Sequence, residues 1–224
     1  MTFISYAQNC EDVILWRALK HIDKGFYIDV GANDPVEDSV TKAFYDRGWS
    51  GINVEPLRVH IKDLSQARER DVNLLAAAGV EHGQIELWTC EVRGWGTASQ
   101  EVISMHEANG HIGQYHRVPV FPLKDICAQY GAKDIHFLKI DVEGFEKEVI
   151  DGMDFVKHRP WIVVVEATKP NSTVEVHHLW EEAILASEYQ LAYVDGLNRF
   201  YVASERSDLL SKLRYPPNVF DSYM

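Results

Sequence analysis

Short apolar runs alternate with stretches of helically spaced apolar residues along most of this chain, the pattern of buried parallel strands with helices packed on them. Residues 26–30, FYIDV, form the first clear run; it breaks at Gly31, and a helical pattern resumes near Ser39 with Val40, Ala43 and Phe44 inward and Gly48 as its stop. The apolar residues 52–54 complete one βαβ unit. Upstream, within an N-terminal helical segment of residues 1–24, Val13, Ile14, Leu15, Ala18 and Leu19 sit at helical spacing. Downstream, Pro56 starts a helix through His60, Ile61, Leu64 and Ala67, residues 72–80 read as a third buried strand, and residues 84–90 alternate as an exposed one. Residues 119–123 predict a short strand, 124–130 a helix ended by Gly131, 135–140 a central strand, 145–155 its helix, and 161–165 a further strand. A helix over 174–187, with Leu179, Ala183 and Leu185 inward, precedes strands at 189–194 and 200–203 that DGLNR joins as an antiparallel hairpin. The expected fold is α/β and Rossmann-like: a mostly parallel seven-stranded sheet, helices on both faces, and a C-terminal antiparallel hairpin.

Two stretches depart from this rhythm. Residues 91–117 carry glycines, tryptophan and three histidines without a clean apolar stripe, so they predict a mobile lid or substrate loop. His106, His111 and His116 are five residues apart, which is no helical-face spacing and argues against a zinc cluster. The tail, residues 205–224, has two prolines and three aromatics near its end and no assigned packing.

At 224 residues and 46% apolar composition the chain suits one domain. A net charge of −12 argues against nucleic acid and anionic membranes as partners and favours an uncharged or cationic small molecule or glycan. Three cysteines without CxxC spacing imply neither a disulfide framework nor a zinc site, which suits the cytoplasm. With no apolar run of about 18 residues, no stable membrane insertion is expected.

Candidate chemistry lies where strands end. Asp29, Glu55, Asp141 and Glu166 each close a predicted strand, and ligands of open α/β sheets bind at those ends. The first turn, GANDPVEDS, has one glycine and three acids. A dinucleotide fingerprint needs three glycines around a pyrophosphate, so an NAD-dependent sugar oxidoreductase is the weaker reading. S-adenosylmethionine, with its positive sulfonium and ammonium, suits an acidic turn. Glu55 can accept both ribose hydroxyls bidentately, Gly31 admits close backbone approach, and the alanines of residues 72–80 either seat an adenine or pack strand on helix. Ser5, Tyr6, Gln8, Asn9 and Asp12 serve either as a helix cap with its approach or as a cofactor cover.

These residues resemble the FkbM-type methyltransferases, a branch of the Rossmann-like, S-adenosylmethionine-dependent enzymes. SYAQNCED, FYIDVGANDP, NVEP, LKIDVEGFEKEV and DGLNRFYV are similar to that family's successive blocks, in order, across most of residues 5–203. DSVTKAFYDRGWSGINVEP resembles the subgroup associated with bacterial surface polysaccharides, whereas residues 91–117 are the least family-like. The resemblance implies a class I methyltransferase fold and O-methylation of a sugar hydroxyl. Carried onto this chain, the cofactor residues are Gln8, Asp29, Gly31, Ala32, Asn33, Ser39, Glu55, Pro56, Ala77 and Asp141. Asp141 is the first candidate base, with Glu143 beside it; His177 matches a family position that would face substrate. Alternatively Asp141 and Glu166 hold magnesium. A non-catalytic nucleoside-binding module would keep the same pocket.

Overall fold

The apolar runs become the strands of a central sheet in a computed structural model that describes residues 2–224. In chain order the elements are α1 (Glu11–Leu19), β1 (Phe26–Val30), α2 (Lys42–Tyr45), β2 (Ser50–Glu55), α3 (Arg58–Ala67), β3 (Val72–Leu75), β4 (Ala77–Gly79), β5 (Gly83–Thr89) and α4 (Gln100–Ala108). There follow β6 (Gln114–Pro122), α5 (Leu123–Tyr130), β7 (Phe137–Ile140), α6 (Glu146–Asp151), β8 (Ile162–Glu166), α7 (Glu181–Ala186), β9 (Tyr189–Val194), β10 (Asn198–Ala203) and α8 (Leu210–Leu213). Among the described residues seven strands form one sheet in the order β3-β2-β1-β7-β8-β10-β9. The first five of these run parallel, while β10 is antiparallel to both β8 and β9.

Side-chain alternation along the strands divides the core into two layers. Ile28, Val30, Leu138, Ile140, Val163 and Val165 point to one face, where they meet α5, α6 and α7 through Ile126, Val149 and Ile184. Tyr27, Phe137, Val164 and Phe200 point to the other and meet α1, α2 and α8 through Leu15, Phe44 and Leu213. Each fully buried aliphatic side chain contributes about 1.5–3 kcal/mol, so the central strands, covered on both faces, anchor whatever their ends carry.

Three expectations are corrected. The run 72–80 is two strands: Ala76 separates β3, which extends the main sheet, from β4, which pairs in parallel with β6 in a second sheet of order β4-β6-β5. Residues 91–117 contain α4, capped by the Ser99 side chain on the Val102 N–H, and the first part of β6, whose strand therefore starts well before residue 119. The helix expected at 174–187 is a 3₁₀ turn, His177–Leu179, followed by the short α7; Trp180 and Ile184 face the core while Leu179 and Leu185 are exposed. The tail packs on α1: Arg17 pairs with Asp221 at 2.6 Å, and Phe3 and Tyr223 form a parallel bridge. No helix among the described residues is long and apolar enough to cross a membrane.

Candidate active site

Because β2, β1, β7 and β8 are adjacent and parallel, Glu55, Asp29, Asp141 and Glu166 fall along one edge of the sheet. Asp29 and Lys139 are direct register partners on the face that carries Tyr27 and Phe137. The ten residues assigned to the cofactor from sequence, together with Glu143, line one cleft of about 260 Å³ at this edge. Glu166 and His177 do not line it. His177 lies instead beside Glu175, with Nδ1 3.0 Å from its Oε2, in a charged network that includes Glu181 and Arg199.

The turn after β1 is held from several sides. Gly31 has φ +84°, and its N–H donates to the Val54 carbonyl at 2.9 Å. A Cβ placed on Gly31 would lie 1.8 Å from the Asp141 carbonyl oxygen, so the close approach that demands glycine here is strand end to strand end rather than backbone to ligand. The Asn33 N–H donates to Glu55 Oε2 at 3.0 Å. Glu55 Oε1 accepts from the Leu57 N–H at 2.9 Å and lies 3.2 Å from His60 Nδ1. A carboxylate has about four lone-pair sites, so Glu55 keeps one free on Oε2, and the bidentate grip expected of it holds only if His60 yields. Ser39 accepts from the fully buried Arg68, which also donates to the Pro35 carbonyl.

Charge in the site is unevenly compensated. Asp29 is buried; its Oδ2 accepts from Thr41 Oγ1 at 3.0 Å, while Oδ1 has no partner within the chain. Lys139 Nζ donates to Asp141 Oδ2 at 2.8 Å. Burial works against its charge, but the carboxylates of Asp141, Asp29 and Glu11 outweigh it and hold the ammonium above its ordinary range. Beyond β7, burial and the charge of Asp141 push Glu143 up to about 8. Glu166 is pushed to about 11 by burial and by Asp141 and Glu143. Glu146 rises to about 7, chiefly by burial, although its Oε1 accepts the N–H groups of Val142 and Gly144 at 3.1 Å. Glu143 itself takes a left-handed conformation, φ 54°, and its carbonyl accepts from Thr97 Oγ1 at 2.7 Å.

These shifts set a stability slope. Between the ordinary glutamate value of 4.5 and about 8, folded Glu143 keeps a proton that the unfolded chain has lost, so unfolding becomes easier as pH rises. His106, His136 and His158, all lowered by burial, oppose this only below their ordinary 6.5. The thermal midpoint is therefore expected to fall as pH rises from 6.5 to 8, and Glu166→Gln to flatten the fall. A midpoint that climbs over this range would mean that the acids titrate normally.

Magnesium does not fit the pair proposed for it. Asp141 already holds the Lys139 ammonium, and Glu166, whose Oε2 is buried and unpartnered within the chain, does not line the cleft that Asp141 lines. Lys139 was missed from sequence, though a lysine inside a central apolar strand is itself a signal, since such a charge is buried only when paired. Arg93 was missed as well. It donates to the Asn33 side-chain oxygen at 3.1 Å and to the Asn33 carbonyl at 3.0 Å, and it pairs with Asp34 and Asp63, tying residues 93–96 across the cleft mouth. No sequence pattern marks it.

No curated protein matches this sequence significantly. The family model of the methyltransferase FkbM domain matches residues 29–191, from the Asp29 strand end into β9 and over more than half of the chain. The parallel sheet with its row of terminal carboxylates is thus a methyltransferase framework, and the chain belongs to the FkbM methyltransferase family.

Proposed function

We propose that the chain is an S-adenosylmethionine-dependent O-methyltransferase of the class I type that acts on a sugar hydroxyl of a surface glycan or glycosylated metabolite. The carrying observation is Asp29 Oδ1, a buried carboxylate oxygen unpartnered within the chain at the wall of an acidic cleft, which a cationic ligand group would satisfy. The free lone pair of Glu55 Oε2 suits one ribose hydroxyl, and Ala77 presents little side chain against a flat base. The sugar acceptor rests on the similarity of residues 38–56 to the polysaccharide-associated subgroup and on the cleft's negative charge, which disfavours phosphate groups.

When bound, S-adenosylmethionine supplies an electrophilic methyl carbon. The chain aligns the acceptor and takes its proton. Glu143, poised near 8, is the better base, because a general base works best with a pKa near the operating pH. Asp141, held in place by Lys139, would orient the hydroxyl, and the Glu143 carboxylate would take its proton. Arg93 and Trp95 limit water at the mouth.

Calorimetry with S-adenosylhomocysteine and NAD side by side tests the cofactor. The first should bind and the second should not, and Glu55→Ala should weaken the first by about 1.5–3 kcal/mol, the range for hydrogen bonds to charged groups. Unchanged affinity in that variant removes Glu55 from the ribose. Transfer of labelled methyl to a glycan acceptor separates an enzyme from a binding module.

A further inference from the structure

Away from the strand-end acids, the fold brings His111 up to the consecutive Cys90 and Glu91, which places three metal-ligating side chains together. Cys90 and Glu91 follow β5, and His111 precedes β6. The two strands pair antiparallel up to Thr89 and Gln114, so residues 90–113 form a loop whose neck is closed by the sheet. At that neck one ligand atom from each of Cys90, Glu91 and His111 lies within 4.8 Å of the others, and this is the one such group among the described residues. His111 Nδ1 is 2.9 Å from Glu91 Oε1. The imidazole is held edge-on against Trp95 at 5.1 Å, and Trp95 stacks on His106, which stacks on Trp88, so an aromatic pile fixes the ring before any ligand arrives. Beside Cys90 and Glu91 a second cavity, lined also by Gln114 and His116, leaves room for solvent.

We propose that Cys90, Glu91 and His111 bind a divalent zinc-class metal ion that staples the neck of this loop. The ligand set selects the metal: thiolate and imidazole favour zinc over the hard cations magnesium and calcium, and three protein ligands leave a fourth tetrahedral position for water. On binding, the Cys90 thiol gives its proton to solvent, and the thiolate and the Glu91 carboxylate balance the two positive charges of the ion. His111 ligates through Nδ1, the atom that now faces Glu91, and any proton there is released as well. The loop so stapled carries Arg93, Trp95 and Gly96 of the cleft wall, and the metal would pre-order the segment that closes over it. This site stands independently of the proposed methyl transfer, since none of its ligands lines the first cleft.

The test uses the full chain, stripped with a chelator and titrated with Co²⁺ and then Zn²⁺. A thiolate-to-cobalt charge-transfer band that saturates at one equivalent and is displaced by zinc is expected. Cys90→Ser should abolish the band, and His111→Ala should weaken zinc by about 100-fold or more, since loss of even the groups that orient metal ligands costs 10–100-fold. Cys10→Ser, at another half-buried thiol, and His82→Ala, at a surface histidine paired with Asp125, should change neither. Circular dichroism of the metal-free variants checks folding, and zinc should raise the melting midpoint of the unmutated chain but not that of folded Cys90→Ser. Absence of the band, a band that survives in Cys90→Ser, or equal zinc affinity in His111→Ala would overturn the site.

Discussion

Gly31→Ala is expected to destabilise the protein by about 3–5 kcal/mol, a large part of a domain stability on the order of 5–15 kcal/mol. Two costs combine. The residue sits at φ +84°, where a Cβ costs roughly 1–2 kcal/mol. The added methyl would also meet the Asp141 carbonyl oxygen at 1.8 Å, and this neighbour is backbone of the central strand end, which cannot rotate away as a side chain can. Relief requires β1 and β7 to part just where their hydrogen-bonded register places Asp29 beside Lys139. Gly48→Ala is the control. Its φ is +89°, nearly the same, yet nothing lies within 4 Å of the added carbon, so only the conformational cost of about 1–2 kcal/mol applies. Urea denaturation of the two variants decides the matter: equal losses would show that the clash is absorbed and that Gly31 is required for its dihedral angles alone.

What could be read from the sequence followed from how each segment is buried. β1, β2, β7 and β8 are covered on both faces, so they are apolar runs closed by acids, and those acids were visible. Adjacency was not visible. That Glu55, Asp29, Asp141 and Glu166 share one edge follows from the strand order, which brings β7 beside β1 across more than 100 residues of chain.

The misread segments have physical causes. Residues 72–80 form one apolar run, and nothing in its composition says that the backbone leaves one sheet at Ala76 and joins another at Ala77. α4 lacks a clean apolar stripe because it buries Val102, Ile103 and His106 against the small sheet and its aromatic pile, so a histidine stands where periodicity looks for an aliphatic. Residues 174–187 broke the rule in the opposite sense: leucines at 179 and 185 suggested an inner face, but the 3₁₀ turn rotates the chain so that Trp180 and Ile184 take it. Lys139 was legible in principle as a charge inside an apolar strand, although its place opposite Asp29 was not.

Glu143→Gln is expected to cut methyl transfer by about 10²- to 10⁴-fold, the range for loss of a general base, while leaving S-adenosylhomocysteine affinity within a few-fold. Turnover of the unmutated chain on the proposed acceptor should rise with pH through about 8 as Glu143 loses its proton, and the glutamine variant should be flat there. Asp141→Asn distinguishes the two acids. The negative charge of Asp141 helps raise Glu143, so its removal, with Lys139 left charged and less neutralised, lowers Glu143. If Glu143 is the base and Asp141 positions the acceptor, the asparagine variant keeps a pH-dependent turnover whose midpoint moves below 8. If Asp141 is the base, the asparagine variant loses the rate, and Glu143→Gln keeps most of it. The comparison reads the position of the midpoint as well as the size of the loss, so a merely structural effect of either substitution, which lowers the rate equally at every pH, is separated from both. Full turnover with an unshifted profile in Glu143→Gln would remove Glu143 from the chemistry and return the role to Asp141.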